Sequence, residues 1–324
     1  MSIFGITMGD PCGIGPEIIL KSFKAKTDLI DDAVVFGSFD ILNYYNVKFN
    51  LGYNINAIEK LHDFKKGCIN VIDPYKISIN HIKIGNLSIT GGKCAFMYVK
   101  TAIDFALRRE ISSVVTAPLN KEALHMAGYN YAGHTEIFGE FTHGDSYAML
   151  LWSDNLKVIH ASTHISLMDA CLKTNKKRIK EVIHLANDTL KKTGYENPRI
   201  AVAGLNPHAG ENGLFGKEEI NEISPAVKEC QQEGITVIGP IAPDTVFLRA
   251  YKGEYDVVVA QYHDQGHIPV KLLAFDSGVN ITVGLDVIRT SVDHGTAFDI
   301  AGTMKAREDS MLKAIEIGKL LNRY

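Results

Sequence analysis

The residues best suited to chemistry in this chain are histidines that follow apolar runs. His164 closes "LKVIHASTH", His208 comes after "RIAVAGLNP", and His263 comes after "YDVVVAQY". Each run reads as a strand, and ligands of open α/β sheets gather beyond the carboxyl ends of strands. Three neutral imidazoles from such places suit Zn²⁺ or a similar divalent ion and leave one coordination position for a substrate. Taken singly, each is better explained as a satisfied polar residue at a strand end; the three together favour a metal. His263 lies in "VVVAQYHDQGHIPVK", four residues before His267. Gly266 and Pro269 interrupt that segment, so the two histidines are expected not to share a helix face. His263 is then the ligand and His267 lines a loop, while His160, inside its run, is buried structure. His62, His81, His125, His143 and His184 sit among ordinary polar or helical neighbours.

Other polar clusters also follow strands. "TMGDPCGIGPE" is a strand, a glycine-rich turn and a helix start, whose amides could cradle an anion. It lacks both the Lys-Ser/Thr of a nucleotide loop and the full dinucleotide fingerprint, and a tight turn explains it equally well. His134 and Thr135 follow Gly133 in a loop able to offer donors, with Thr135 as an ordinary helix cap the competing explanation. Lys271, Asn280 and Arg289 supply two cations and an amide suited to phosphate or carboxylate. "SVDHGTAFDIAG", ahead of a helix, reads as an adenosine-binding loop with His294, Gly295, Thr296, Ala297 and Asp299.

These groups need a frame to hold them. "IFGITM", "DAVVFG", "ISSVVTAP", "PRIAVAGL" and "YDVVVAQY" alternate with amphipathic segments such as "GPEIILKSFK" and "AFMYVKTAIDFALRRE". "AMLLWSDNLKVIHAST" reads as two strands joined at Ser153–Asn155, and "SLMDACLKTNKKRIKEVIHLANDTLKK" as a long helical region. Such alternation predicts an α/β protein with a largely parallel sheet. The 324 residues are too many for one comfortable core, so two domains around a cleft are expected. The boundary is placed near residue 130, with a return near 275: residues 1–130 plus 275–324, and residues 131–274.

Composition excludes several classes. A formal charge of −3 gives no footprint for nucleic acid or acidic membrane. No apolar run approaches the ~20 residues needed to span a bilayer, and "MSIFGITMGD" lacks the basic start of a secretory signal. Five scattered cysteines without CxxC spacing indicate neither disulfides nor a thiolate zinc site. The expected compartment is the cytoplasm.

The motifs "GITMGDPCGIGPE", "TAPLNKEAL", "GHTE", "GLNPHAGE", "GPIAPDT", "YHDQGH" and "GVNITVGLDVIRTSVDHGTAFDIAG" resemble the 4-hydroxythreonine-4-phosphate dehydrogenase family, in family order and nearly end to end. "GIGPE" and "HGTAFDIAG" are also similar to the wider isocitrate/isopropylmalate dehydrogenase fold group. The resemblance implies a two-domain α/β/α subunit, a homodimer with its site at the subunit interface, NAD as oxidant and one divalent metal. Zn²⁺ is the first choice of metal, with Mg²⁺, Mn²⁺ or Co²⁺ as alternatives. The family's metal ligands fall on His164, His208 and His263, and its substrate contacts on His134, Thr135, Lys271, Asn280 and Arg289. Where vitamin B6 members usually read Gly-Leu-Pro after "YHDQ", this chain has Gly266-His267-Ile268-Pro269. That wording resembles relatives acting on 4-phospho-D-threonate or 4-phospho-D-erythronate. The implied reaction is oxidation at C3 of a four-carbon hydroxy acid phosphorylated at C4, then loss of CO₂. Lys271 is the candidate to stabilise the enolate or donate a proton; Asp244 and Asp264 are candidates for base or for orienting a ligand. Two rivals are a decarboxylating cis-diol dehydrogenase of aromatic acids and a metal-dependent phosphohydrolase.

Overall fold

The computed structural model describes residues 3–142, 146–273 and 278–322; His143 lies outside them. In chain order the strands are β1 (Phe4–Thr7), β2 (Ala33–Phe36), β3 (Ile55–Ile58), β4 (Ile69–Ile72), β5 (Val114–Thr116), β6 (Ala148–Trp152), β7 (Lys157–His160), β8 (Ile200–Ala203), β9 (Val237–Ile241), β10 (Val257–Ala260), β11 (Val279–Val283) and β12 (Arg289–Val292). The α-helices are α1 (Gly15–Ala25), α2 (Phe39–Lys48), α3 (Ile89–Leu107), α4 (Lys121–Met126), α5 (His134–Phe141), α6 (Leu167–Lys173), α7 (Lys176–Lys191), α8 (Ser224–Gln232), α9 (Pro243–Tyr251), α10 (His263–Leu273) and α11 (Asp309–Leu321).

The chain divides into two compact units, Met1–Gly144 with Leu285–Asn322, and Asp145–Gly284. In the first, the strand order is β3-β4-β2-β1-β5-β12, with every pairing parallel. β1, β2, β4, β5 and β12 are buried along their whole length, the pattern of strands covered on both faces. Residues 131–142, expected in the second domain, belong here. Phe96 of α3 stacks on Tyr129 and Tyr131 and meets Phe141 edge-on, and this aromatic cluster ties α5 to α3.

In the second unit the order is β11-β6-β7-β10-β8-β9. β11 pairs antiparallel with β6, which keeps residues 279–283 in this unit beyond the expected return near 275. β6 and β7 form the expected hairpin, in which the Ser153 side chain donates to the Leu156 carbonyl and accepts from its amide. β7, β10, β8 and β9 run parallel. The expected long helical region breaks at Thr174–Asn175, where the Asn175 side chain caps α7 by accepting the Arg178 amide at 3.0 Å.

The main correction concerns α10. Its Gly and Pro suggested a loop, yet His263–Leu273 is helical with Pro269 inside it. Proline disturbs the carbonyl four residues earlier, which is that of Gln265, so the turn from His263 to His267 survives. Gly266 is there for close packing: a Cβ at that position would run into His160 Nε2 and lie 2.7 Å from Val158 Cγ1. His263 and His267 therefore share a face, with ring centroids 3.6 Å apart and planes at 10°. Among the described residues, no helix is long and apolar enough to cross a membrane.

Candidate active site

The parallel register sets the carboxyl ends of β7, β10 and β8 side by side, and His164, His263 and His208 follow those three ends. His164 and His263 have ring centroids 5.8 Å apart and line a pocket with Thr163, Ile165, Leu167, Ala170, Tyr262 and Asp264. Two imidazoles bound to one ion at ~2.1 Å hold their ring centres roughly 4.5–6 Å apart, so this pair fits a shared divalent cation. His263 Nδ1 lies 2.7 Å from Asp264 Oδ1. A carboxylate there fixes the Nδ1–H tautomer and leaves Nε2 as the ligand atom. His208 sits exposed on a separate turn beside Phe215, ring centroids 6.2 Å apart. Among the described residues the group of three ligand types within 4.8 Å of one another is His184, Cys230 and Glu233, not the three expected histidines. In that group Lys180 lies 2.6 Å and His184 2.7 Å from Glu233, so its carboxylate is already engaged.

Behind His263 runs a chain of imidazoles that the sequence reading missed. His160 is fully buried at the end of β7, its Nδ1 3.2 Å from the Met149 carbonyl. His267 Nδ1 lies 3.1 Å from both His160 Nε2 and the His263 carbonyl. A carbonyl only accepts, so both Nδ1 atoms carry hydrogen and His160 Nε2 is an acceptor. Two backbone carbonyls thus fix the tautomers of two histidines. Burial and the neighbouring His267 push the His160 pKa down to about 3, which keeps it neutral. The available signal is the four-residue spacing from His263 to His267, which Gly266 and Pro269 mask. Lys271, four residues further on, extends the same helical stripe. Asn280 lies on β11 opposite Leu151. Asp244 is exposed in the first turn of α9, where a carboxylate suits the helix N-terminus.

The first unit holds a second constellation. Arg289, the first residue of β12, is only 3% exposed and donates to Thr116 Oγ1 at 3.0 Å. Its guanidinium stands 5.8 Å from the Phe138 ring. Burial lowers its pKa to about 9, partly offset by Glu136. His134 and Thr135 open α5, so Thr135 is not the cap: Gly133 is, and Thr135 is buried inside the helix. Burial, then the Arg289 charge, hold the His134 pKa well below its usual value. Its Nε2 is closed to solvent and has no hydrogen-bond partner among the described residues. A buried guanidinium with a solvent-closed, unpartnered imidazole nitrogen nearby is chemistry suited to an anion.

The loop carrying His294, Gly295, Thr296, Ala297 and Asp299 packs on the glycine-rich turn, where the Ile14 amide donates to the Thr296 carbonyl at 3.0 Å. A Cβ on Gly13 would lie 2.7 Å from that carbonyl oxygen. The turn's glycine therefore serves close approach, the plainer of its two explanations. Gly295 has open space around it.

Largely parallel strands alternating with helices define an α/β protein whose fold is that of the β-decarboxylating dehydrogenases. A β-decarboxylating dehydrogenase from Thermococcus kodakarensis superposes with a TM-score of 0.52 at 13% identity, over 99% of this chain and 82% of that one. The family profile described as pyridoxal phosphate biosynthetic protein PdxA matches residues 30–318, and the chain belongs to this family. It is 50% identical over 319 residues to a D-threonate 4-phosphate dehydrogenase of Salmonella typhimurium, with 98% of each chain covered. A crystal structure of 4-hydroxythreonine-4-phosphate dehydrogenase from Klebsiella pneumoniae superposes with a TM-score of 0.87 at 46% identity, over 100% of both chains.

Proposed function

We propose that this enzyme oxidises the C3 hydroxyl of a four-carbon hydroxy acid phosphorylated at C4 and then releases C1 as CO₂, with D-threonate 4-phosphate as the first candidate substrate. 4-Phospho-D-erythronate and 4-phosphohydroxy-L-threonine are the next two. The observation that carries the reading is the receptor of Arg289, His134 and Thr135: a buried guanidinium beside an unsatisfied imidazole nitrogen calls for a phosphate or carboxylate. The 50% identity to a D-threonate 4-phosphate dehydrogenase supports the choice of acid.

When bound, NAD would supply the hydride acceptor for C3, and a divalent ion, Zn²⁺ first, would supply the Lewis acidity for the C3 oxygen. His164, His208 and His263 would hold that ion. The loop of His294, Gly295, Thr296, Ala297 and Asp299 would hold the adenosine of NAD. Asp264 keeps the His263 ring in its ligating tautomer; it or Asp244 accepts the C3 hydroxyl proton. The C1–C2 bond of the resulting β-keto acid breaks, and Lys271 stabilises the enolate and returns a proton to C2. Asn280 is a further candidate contact for the acid. The five cysteines are not joined in disulfides, which fits a cytoplasmic enzyme.

A homodimer with a shared site accounts for two features. His164, His208 and His263 do not bring their ligand atoms within 4.8 Å of one another in one chain. Just after His164, α6 exposes Leu167, Met168 and Leu172 by 60–77%, an apolar face suited to a second copy.

The decisive assay offers NAD and the three phosphorylated acids, side by side, to the purified protein. Absorbance at the NADH band with at least one of them is the expected outcome. Phosphate release without NADH would favour the phosphohydrolase, and turnover confined to an aromatic cis-diol acid the diol dehydrogenase. Exhaustive chelation is expected to abolish turnover, and full activity without metal would remove the ion from the reading. A monomeric mass by sedimentation, with full activity, would remove the shared site.

A further inference from the structure

His208 occupies an unusual stretch of backbone. From His208 to Asn212 the φ/ψ pairs are 52/28, 53/44, 78/−7, 42/60 and 55/30. Five successive residues are left-handed, and only one of them is glycine. L-residues visit that region singly because Cβ crowds the following carbonyl. A run of this kind persists only where its surroundings over-determine it.

One side chain meets both the segment that enters the run and the middle of the run. Glu219 is 3% exposed and begins the π-helical turn Glu219–Ile223, a wide turn that is rare and often sits at functional sites. Its Oε1 accepts the Leu205 amide at 2.8 Å and the Asn206 amide at 2.7 Å; its Oε2 accepts Asn206 Nδ2 at 3.0 Å. The chain leaving β8 is thus tied to this carboxylate two residues before His208. On the other side a Cβ on Gly210 would lie 2.6 Å from Glu219 Oε2, so the middle of the turn rests against the same group. Gly204 completes the packing: a Cβ there would lie 2.8 Å from the Cα of Ala209. Asn206 Nδ2 also donates to Glu218 Oε2 at 2.7 Å.

We propose that Glu219 is a positioning residue: its buried carboxylate clamps Leu205–Asn206 and holds the left-handed turn that presents His208. The inference rests on the reading of His208 as a metal ligand. Glu219 itself touches neither ion nor substrate and acts only through the turn.

The test is Zn²⁺ binding to chelator-stripped full-length protein, measured by competition with a colorimetric chelator. The variants are His208→Ala, Glu219→Gln and the double variant. Removing a group that orients a ligand costs about 10–100-fold in metal affinity, which is the loss expected for Glu219→Gln. His208→Ala should lose at least as much, and Glu219→Gln should lose nothing further on top of it, because groups acting as a unit are not additive. Wild-type affinity in His208→Ala would sink the ligand reading. A weakened His208→Ala with an unaffected Glu219→Gln would leave that reading intact and overturn the clamp. Equal losses for Glu219→Gln with and without His208 would also overturn it. If Glu219→Gln does not fold, Asn206→Ala takes its place, with a several-fold loss expected that vanishes in the His208→Ala background; no loss, or one that persists there, overturns the clamp.

Discussion

The two units carry opposite kinds of site. In the first, Arg289, His134 and Thr135 are built into strand and helix; Arg289 and Thr135 are buried, and burial shifts Arg289 and His134 away from their charged forms. In the second, His164 and His263 face a pocket and His208 stands exposed on a strained turn. The first, as proposed, is a receptor that an incoming anion would stabilise. In the second, the Asp264 carboxylate fixes the His263 tautomer, and the three candidate imidazoles do not bring their nitrogens within 4.8 Å of one another in one chain. Preorganisation thus comes from burial in one unit and from tautomer control in the other. An anion should need nothing beyond the first unit's groups, whereas a cation should need a completed set.

The largest expected effects separate the two halves. Arg289→Met should lower kcat/KM for the phosphorylated acid by about 10³-fold, since truncating one partner of a buried charge pair costs about 2–5 kcal/mol. The thermal stabilisation by inorganic phosphate should vanish in that variant, while Zn²⁺ affinity stays within a few-fold of wild type. His263→Ala should do the reverse, losing Zn²⁺ affinity by about 100-fold or more and keeping the phosphate shift. Thermal shifts and metal titrations on the same two proteins read all four quantities. Coupled losses, with each variant impairing both ligands, would break the comparison.

A second buried acid sharpens it on the side of burial. Asp10, in the glycine-rich turn, is fully buried, with its Oδ1 accepting the Cys12 amide at 2.9 Å. Burial raises its pKa to about 6. The raised value belongs to the folded state, so the folded protein keeps a proton between pH ~4 and ~6 that the unfolded chain has lost. Stability from this group is present below pH ~4, falls as pH rises to ~6, and amounts to about 3 kcal/mol. Glu17, also raised by burial, acts in the same direction. Urea midpoints across that window should slope downward in the wild type and flatten in Asp10→Asn. An unchanged slope would place the titration elsewhere.

Much of this was legible in the sequence, for identifiable reasons. The runs ending near His164, His208 and His263 are largely apolar, which marks them as strands of a buried, largely parallel sheet; the register of β7, β10 and β8 comes from the pairing itself. The dehydrogenase family was readable from motifs such as "GLNPHAGE" and "HGTAFDIAG". What escaped were features whose cause lies in another element. Gly266 looks like a helix breaker until His160 and Val158 are seen against it. Glu219 looks like an ordinary helical glutamate, because nothing local reveals that its partners are the amides of Leu205 and Asn206. The reach of the first unit to residue 142 depended on Phe96 meeting Phe141, a contact across more than forty residues.

The smallest expected effect tests tautomer control in the second unit. His160 touches no candidate ligand atom directly; it acts through His267, whose ring stacks on His263. His160→Leu removes the acceptor for the His267 Nδ1–H and leaves the Met149 carbonyl without its imidazole donor. Zn²⁺ affinity should fall by about tenfold, the lower end for a group that orients a ligand. His160→Gln keeps one donor and one acceptor on a side chain of similar reach, and should recover most of that loss. Nitrogen-15 spectra of the imidazoles give a readout that cavity formation alone would not move. The His267 Nδ1–H tautomer should dominate in the wild type and in His160→Gln and become mixed in His160→Leu. Equal affinities in the two variants would assign His160 to packing, and the His263 carbonyl would then hold the His267 tautomer unaided.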